Sequence, residues 1–212
     1  MGNIFGSPEK VGLKSRLFGI GLKTLQSQGW EIERVPGMGK SSVRRIIKDG
    51  KSKIVSIRTT QDTYIAFPRD KDNKSWVTLK DVDAVVAVSV DDREKPRFAL
   101  VHMIDGNEMR DRFDRAYKAR LKAGHTIPIG RGVWLPLYIE DSTASHVGGG
   151  AGLAHPAISR VPLKLEELPT HIEPPEVNDK DKEPLLTLQE AKRRLAITLG
   201  VDPSNIKIII DA

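Results

Sequence analysis

The chain of 212 residues is 39% hydrophobic and 29% charged, carries a formal net charge of +6 and contains no cysteine. This composition is typical of a soluble globular protein in a reducing, cytoplasmic setting, and it excludes a disulfide framework, a thiol nucleophile and a cysteine-ligated metal site. The longest strongly apolar stretch, residues 84–90, is far shorter than the roughly 20 residues of a membrane-spanning helix, so we expect no membrane insertion.

The first sixty residues predict a helix, a strand and a hairpin. Apolar residues with helical spacing follow Pro8, a favourable first helical residue, and predict a helix over residues 8–28. Residues 30–35 alternate as a short strand. The pair Asp49-Gly50 separates two extended runs and predicts a two-residue hairpin turn. A further strand is predicted at residues 63–67.

The next hundred residues predict three more strands and a second helix. Residues 82–90 and 98–104 are apolar strands, and the first has the nearly continuous apolar sequence of a strand buried on both faces. Asp105, with Glu108 three residues later, predicts the start of a helix that ends near Gly124. Residues 133–138 are the predicted closing strand, and the glycine-rich residues 148–152 are expected to form a flexible loop.

Composition divides the chain into three parts. We expect an α+β core over residues 1–161, an acidic, proline-rich linker over residues 162–186, and a small helix–strand unit over residues 187–212. The last unit is too small to bury much surface alone, so it is expected to dock on the core or on a second copy of the chain.

The positive charge is concentrated at one end of the sequence. Residues 1–60 contain 12 Lys and Arg against 4 Asp and Glu, whereas residues 162–186 contain 3 against 7. A basic segment on an otherwise balanced chain favours a polyanionic partner, because phosphate contacts gain affinity from counterion release. A solvated lysine-rich surface is the alternative explanation of the same composition.

Motifs for nucleotide hydrolysis and metal binding are incomplete. The segment GMGKSS, residues 37–42, resembles part of a phosphate-binding loop, but Arg34 stands where the full pattern has its first glycine. The five histidines are scattered without the short spacing of metal ligands. We therefore expect neither a nucleotide hydrolase nor a resident metal.

The order of the predicted elements carries a more specific signal. From Leu13 to Phe113 the chain runs helix, GWEIERV strand, VRRIIKDGKSKIVSIRTTQ hairpin, TYIAF, VDAVVAVSV strand, FALVHMI strand and capped helix. In this pattern it resembles the restriction-endonuclease-like, or PD-(D/E)XK, superfamily. The resemblance implies a mixed β-sheet flanked by helices, with an acid at the start of the hairpin and an E-x-K motif on its second strand. In enzymes of that superfamily, two carboxylates hold Mg²⁺ and the lysine helps to activate water.

This chain departs from that motif at the metal ligands. The E-x-K position falls on Ser56, Ile57 and Arg58, and the acid of the first hairpin strand falls near Arg44 or Arg45. Arginine repels a divalent cation, so the metal chemistry is expected to fail. If the protein is nevertheless active, the candidates are relocated carboxylates at Asp49 and Asp62, together with Arg58.

Three hypotheses follow. The first is a non-catalytic protein that binds duplex DNA, without a cofactor, through a basic hairpin containing Arg44, Arg45, Lys48, Lys51, Lys53 and Arg58. Strand alternation places Arg44 and Lys48 on one face and Arg45 on the other, so these cations are not expected to contact a single ligand together. The second is a Mg²⁺-dependent nuclease with relocated carboxylates. The third is a protein-interaction subunit that forms homo-oligomers through its C-terminal unit.

Overall fold

The computed structural model describes residues 8–35 and 42–163, which form a six-stranded sheet, a two-stranded sheet and helices. In chain order the elements are α1 (Pro8–Ser27), β1 (Glu31–Arg34), β2 (Val43–Lys48), β3 (Lys51–Thr60), β4 (Tyr64–Pro68), β5 (Ala84–Val90), β6 (Phe98–Asp105), α2 (Gly106–Lys122), β7 (Gly132–Pro136), α3 (Ala151–Ala154) and β8 (Ser159–Pro162). These residues all belong to one compact unit. The predicted α+β fold class is confirmed.

The large sheet is mixed and has helices on both faces. Its strand order is β1-β2-β3-β5-β6-β8, and β3 and β5 run parallel while the other neighbours are antiparallel. Every residue of β5 is buried, as its apolar sequence predicts. Its side chains alternate between two cores, one that includes Leu17 of α1 and one that includes Phe113 of α2. We call the two sides of this sheet the α1 face and the α2 face.

The predicted hairpin and the second helix are present. Asp49 and Gly50 both have positive φ, 50° and 72°, as a two-residue hairpin turn requires, and they connect β2 to β3. Asp105 is the N-cap of α2, and its carboxylate accepts hydrogen bonds from the backbone N–H of Asn107 and Glu108. Turn chemistry and capping therefore identified these elements correctly.

The position of β4 was not predicted, and the glycine-rich segment differs from the expected flexible loop. β4 does not join the large sheet but pairs with β7, so that Phe67 lies opposite Val133. Gly148 is buried rather than part of a loose loop, and a Cβ on it would lie 2.3 Å from the carbonyl oxygen of Arg112. Glycine is needed in this segment for close packing of the backbone against α2.

The end of the described core lies slightly beyond the expected boundary. Pro162, the first residue of the predicted linker, ends β8, and Leu163 is buried. The rest of that linker and the predicted unit at residues 187–212 lie outside the described residues, as do residues 37–41 of the glycine-rich GMGKSS segment. No helix within the described residues is long and apolar enough to cross a membrane.

Candidate functional site

Strand register separates the charges of β1, β2 and β3 by face. Residues directly opposite each other in antiparallel strands point to the same side of a sheet. Ile46 of β2 belongs to the core beneath α1, so every second residue of β2 from Arg44 to Lys48 faces α1. Their partners on β1 and β3 face the same side, as the pairs Arg34–Arg44, Ile46–Lys53 and Lys48–Lys51 show. Five cations therefore lie on the α1 face. We call these residues the basic strip: Arg34, Arg44, Lys48, Lys51 and Lys53. The expected alternation of Arg44 and Lys48 against Arg45 is confirmed.

The acidic residues of β1 lie on the other face. Glu33 is opposite Arg45, and the two side chains approach to 3.9 Å while both remain about half exposed. Glu31 lies two residues earlier and faces the same side. An ion pair this exposed contributes little stability, about 0–1 kcal/mol. Its position matters more, because it leaves the carboxylates of β1 away from the basic strip.

Two of the five cations of the basic strip are held by neighbouring groups, and the other three are exposed. The Arg44 guanidinium lies over the Phe18 ring at 5.5 Å, and Lys48 Nζ donates to the carbonyl of Gln28 over 2.7 Å. Burial, followed by the positive charge of Arg34, lowers the pKa of Arg44. Lys51 and Lys53 are exposed near the hairpin turn. Within the hairpin, the held cations therefore lie on β2 and the exposed cations on β3.

Helix α1 adds further positive charge beside the strip. Its sequence contains Lys10, Lys14, Arg16 and Lys23, and Glu9 is its one acidic residue. Lys10, Lys14 and Lys23 are exposed. The helix and the basic strip together form a surface on which cations greatly outnumber carboxylates.

Arg58, in contrast, faces away from the strip and is held in place on the α2 face. Its guanidinium lies over the Phe67 ring at 4.1 Å, and its Nη2 donates to Thr78 Oγ1 and, over 3.5 Å, to the Val77 carbonyl. Its Nε has no hydrogen-bond partner. Burial lowers the pKa of Arg58 to about 10, so the side chain remains charged at neutral pH. No carboxylate within the described residues forms an ion pair with it.

The residue that anchors Arg58 has an unusual backbone conformation. Thr78 has φ of 66°, which is rare for a β-branched residue and costs of order 1–3 kcal/mol. Its hydroxyl accepts from Arg58 and donates to the Val77 carbonyl over 2.6 Å. The fold thus retains a strained residue at the point that fixes this guanidinium.

A cleft opens where α1, β3 and β4 meet. Its volume is about 520 Å³, and two of its lining side chains are cationic, Lys14 and Arg58, while none is a carboxylate. The remaining lining residues are Phe18, Ser42, Ile57, Thr59, Tyr64, Ile65, Ala66 and Trp134. The backbone N–H of Ile57 donates to the Ser42 carbonyl, and both residues line the cleft. They lie two residues beyond the pair Arg44–Val55, so the cleft adjoins the Arg44 end of the basic strip.

The positions expected for a nuclease motif do not suit Mg²⁺. Ser56, at the place of the E-x-K glutamate, is fully buried, and its hydroxyl has no hydrogen-bond partner. It lies opposite Val43, and Arg58 follows two residues later on the same face. Magnesium requires several oxygen ligands, at least one of them usually a carboxylate, and a serine, a valine and an arginine do not supply them. No group of three metal-ligating side chains occurs within residues 8–35 and 42–163.

The two candidate relocated carboxylates lie at opposite ends of β3. Asp49 is in the hairpin turn, whereas Asp62 follows the strand, where its carboxylate accepts from the Thr60 hydroxyl and from the backbone N–H of Tyr64. A ten-residue strand spans about 33 Å. The two aspartates therefore cannot share a metal ion, and each has a local role in a turn.

Sequence reasoning missed a buried polar chain on the α2 face. Ser89 Oγ is 2.6 Å from Tyr138 Oη, which is 2.8 Å from His102 Nε2, and His102 Nδ1 is 2.7 Å from the carbonyl oxygen of His155. Since a carbonyl only accepts, neutral His102 carries its proton on Nδ1 and accepts at Nε2 from Tyr138. Burial lowers the pKa of His102, the effect that outweighs its bond to His155.

His155, at the end of this polar chain, also belongs to an ion-paired cluster on α2. His155 Nε2 lies 2.6 Å from Glu108 Oε2, and Arg112 Nε donates to Glu108 Oε1 over 2.8 Å. Arg112 Nη1 also donates to the Gly148 and Gly149 carbonyls. Each of these groups has a partner within the protein. The cluster therefore has a structural role, which is to join α2 to the chain before β8.

Comparison of the chain with known protein families, curated proteins and solved structures finds no match.

Proposed function

We propose that this protein binds nucleic acid, with duplex DNA as the first ligand to test, and that it does so without cutting it. The observation that carries the proposal is the separation of charge by strand register. Five of the seven cations of β1–β3 lie on the α1 face beside a basic helix, whereas Arg45, Arg58 and the carboxylates of β1 lie on the other face. An extended positive surface attracts the phosphate backbone of a nucleic acid, because each phosphate contact releases a bound counterion.

The dimensions of the surface fit a nucleic-acid backbone. Lys51 begins β3 at the hairpin turn, and Val55, which lies opposite Arg44 on the same face, follows four residues later. That length of strand spans about 13 Å, which corresponds to roughly four phosphates along one strand of a duplex. Affinity is then expected from several phosphate contacts, which carry no base sequence information.

The absence of a cutting step in the proposal follows from residue chemistry. The resemblance to restriction-endonuclease-like proteins places a carboxylate where this chain has buried Ser56, and Asp49 and Asp62 are too far apart to replace it. The oligomerisation alternative depends on residues 187–212, which lie outside the described residues, so no contact favours it.

A matched pair of variants on one hairpin tests the proposal. Lys53 belongs to the basic strip and Arg45 to the opposite face, although both are exposed and each carries one positive charge. We expect Lys53→Ala to weaken binding of a labelled blunt duplex and to reduce the slope of log affinity against log salt by about 0.9, the value for one phosphate contact. Arg45→Ala is expected to leave the slope unchanged. The measurement is fluorescence anisotropy of the full chain across a salt series.

Two results would contradict the proposal in different ways. Equal losses in the two variants would show that charge alone, and not the α1 face, determines binding. Cleavage of the duplex when Mg²⁺ is added, abolished by a chelator, would overturn the non-catalytic assignment. An absence of salt-dependent binding at low ionic strength would overturn the function itself.

A further inference from the structure

The cleft next to the basic strip has features that phosphate binding along a duplex does not use. Its volume of about 520 Å³ lies within the roughly 300–1,000 Å³ of small-ligand sites and is far too small to admit a duplex. Three aromatic side chains line it: Phe18, Tyr64 and Trp134. Aromatic rings beside cations are the usual means by which proteins hold an unstacked base and its phosphate.

Trp134 is the clearest of these features. It is 53% exposed and is the one exposed aromatic residue within the described part of the chain. It lies opposite Ala66 on β4. A Cβ added to Gly132 would lie 3.0 Å from Ala66 Cβ and 3.9 Å from Trp134 Nε1, so small residues surround the indole. An indole with so little packed around it has a free surface for another ring.

The polar lining of the cleft suits a phosphate. Lys14 is exposed on α1, and Arg58 is fixed over Phe67 by its bonds to the Thr78 segment. Ser42 and Thr59 add hydroxyl groups, and none of the ten lining residues is acidic. A guanidinium whose orientation is already fixed, with no carboxylate to neutralise it, loses little conformational freedom when an anion binds.

We propose that the cleft receives one unstacked nucleoside monophosphate unit, with its base against Trp134 and its phosphate near Lys14 and Arg58. This inference rests on the proposed function and makes it more specific. The cleft directly follows the basic strip, so the unit comes from the strand whose phosphates the strip binds, at an unpaired end or overhang. Bases inside a continuous duplex are stacked and cannot present their faces to Trp134.

The test compares three probes on the full chain: a blunt duplex, the same duplex with a short single-stranded overhang, and free adenosine monophosphate. We expect the overhang to bind about tenfold more tightly than the blunt duplex, as one base–aromatic stack typically provides. Trp134→Ala should remove that difference and leave blunt-duplex affinity unchanged, whereas Trp134→Phe should keep it. Ile129→Ala, at an exposed apolar residue outside the cleft lining, is the matched control.

Arg58 is tested through two variants, because its contacts with Phe67 and Thr78 also support the fold. Arg58→Lys retains the charge and Arg58→Met retains much of the apolar stem. We expect the methionine variant to lose the overhang preference and the lysine variant to keep part of it, at equal helix content by circular dichroism. Retention of the full preference in the methionine variant, with native circular dichroism, would overturn the assignment of Arg58 to the phosphate.

The outcomes separate this inference from the proposed function. Equal binding of blunt and overhang duplexes, with Lys53→Ala still weakening both, would overturn the nucleotide cleft and leave nucleic-acid binding intact. Quenching of tryptophan fluorescence by adenosine monophosphate that is lost in Trp134→Ala, without binding of either duplex, would overturn the strand as the source of the nucleotide. No binding of any probe would overturn both proposals.

Discussion

Gly148 and Gly130 have nearly the same backbone conformation but different surroundings. Their φ angles are 84° and 79°, yet a Cβ at Gly148 would lie 2.3 Å from the Arg112 carbonyl oxygen, while a Cβ at Gly130 meets nothing within 4 Å. We expect Gly130→Ala to cost about 1 kcal/mol from its left-handed conformation, and Gly148→Ala to cost about 1–3 kcal/mol more from the clash. The free energy of unfolding in urea measures both. Equal losses would mean that the glycine-rich segment moves aside freely.

Single residues also explain why the basic hairpin does not act as one patch. Arg44 and Lys48 contact Phe18 and Gln28, Arg45 approaches Glu33, and Arg58 is fixed over Phe67. A side chain that already has partners differs from an exposed lysine in what it offers a ligand. Lys53 is for this reason the more informative position for a binding test.

At the scale of elements, α2 depends on its N-cap. Asp105 accepts from the backbone N–H of Asn107 over 2.8 Å and from that of Glu108 over 3.1 Å. We expect Asp105→Ala to lower the free energy of unfolding by about 1 kcal/mol, since two N–H groups at the helix start lose their acceptor. Asp111→Ala, which removes the same charge from an exposed position within α2, is the control and should change stability by less than about 0.5 kcal/mol. Equal effects would point to net charge instead of capping.

Elements with a local signal could be predicted from the sequence. The Asp49-Gly50 turn, the capped start of α2 at Asp105 and the apolar run of β5 each depend on residues close together in the chain, and all three are present. Glu108 shows the limit of such a signal. Its spacing from Asp105 predicted the helix start, but its carboxylate binds Arg112 one turn later and His155 from a distant segment.

Pairings between distant segments could not be predicted. The alternation in β4 is the same whether it joins the large sheet or pairs with β7, and only the whole fold decides. Likewise, alternation predicted that Arg44 and Arg45 face opposite sides, but the register of β1 was needed to place Glu33 beside Arg45. The contact of Arg58 with Thr78 has no sequence signal at all, since the two are twenty residues apart.

The candidate site was accessible from sequence only in part. The basic character of the hairpin and the loss of the E-x-K carboxylate could be recognised directly from residue identities. Trp134 alternates with buried Val133 and Leu135, a pattern that places it on the outer face of its strand. Only the fold brings this exposed aromatic on β7 to the same cleft as α1.

At the scale of the whole molecule, a buried polar chain connects β5 and β6 to the segments that follow β7 and precede β8. Ser89 lies on β5 and His102 on β6, and Tyr138 follows β7. The chain ends at the His155 carbonyl, just before β8. Burial raises the pKa of Tyr138 and lowers that of His102, so both groups are neutral and fully hydrogen-bonded near pH 7. Such a network specifies one packing arrangement when every member is satisfied.

This network predicts how the stability of the protein depends on pH. The pKa of His102 is lower in the folded protein than its ordinary value of about 6.5, so the unfolded chain binds a proton first as the pH falls. The free energy of unfolding should therefore decrease below about pH 6.5, by up to about 1.4 kcal/mol per pH unit, until the folded pKa is reached. For Glu108, burial raises the pKa but the hydrogen bonds from Arg112 and His155 outweigh it. Its net lowered pKa removes stability only below about pH 4.5.

Urea unfolding between pH 7.5 and 5 therefore isolates His102, because the loss of stability from Glu108 begins at lower pH. His102→Gln should be less stable than the wild type at pH 7.5, by about 1–3 kcal/mol from lost hydrogen bonds, yet show a shallower decrease toward pH 5. His125→Gln, at an exposed histidine after α2, should keep the wild-type slope. If His102→Gln instead keeps that slope, another group titrates in this range and the buried chain is not what makes folding depend on pH.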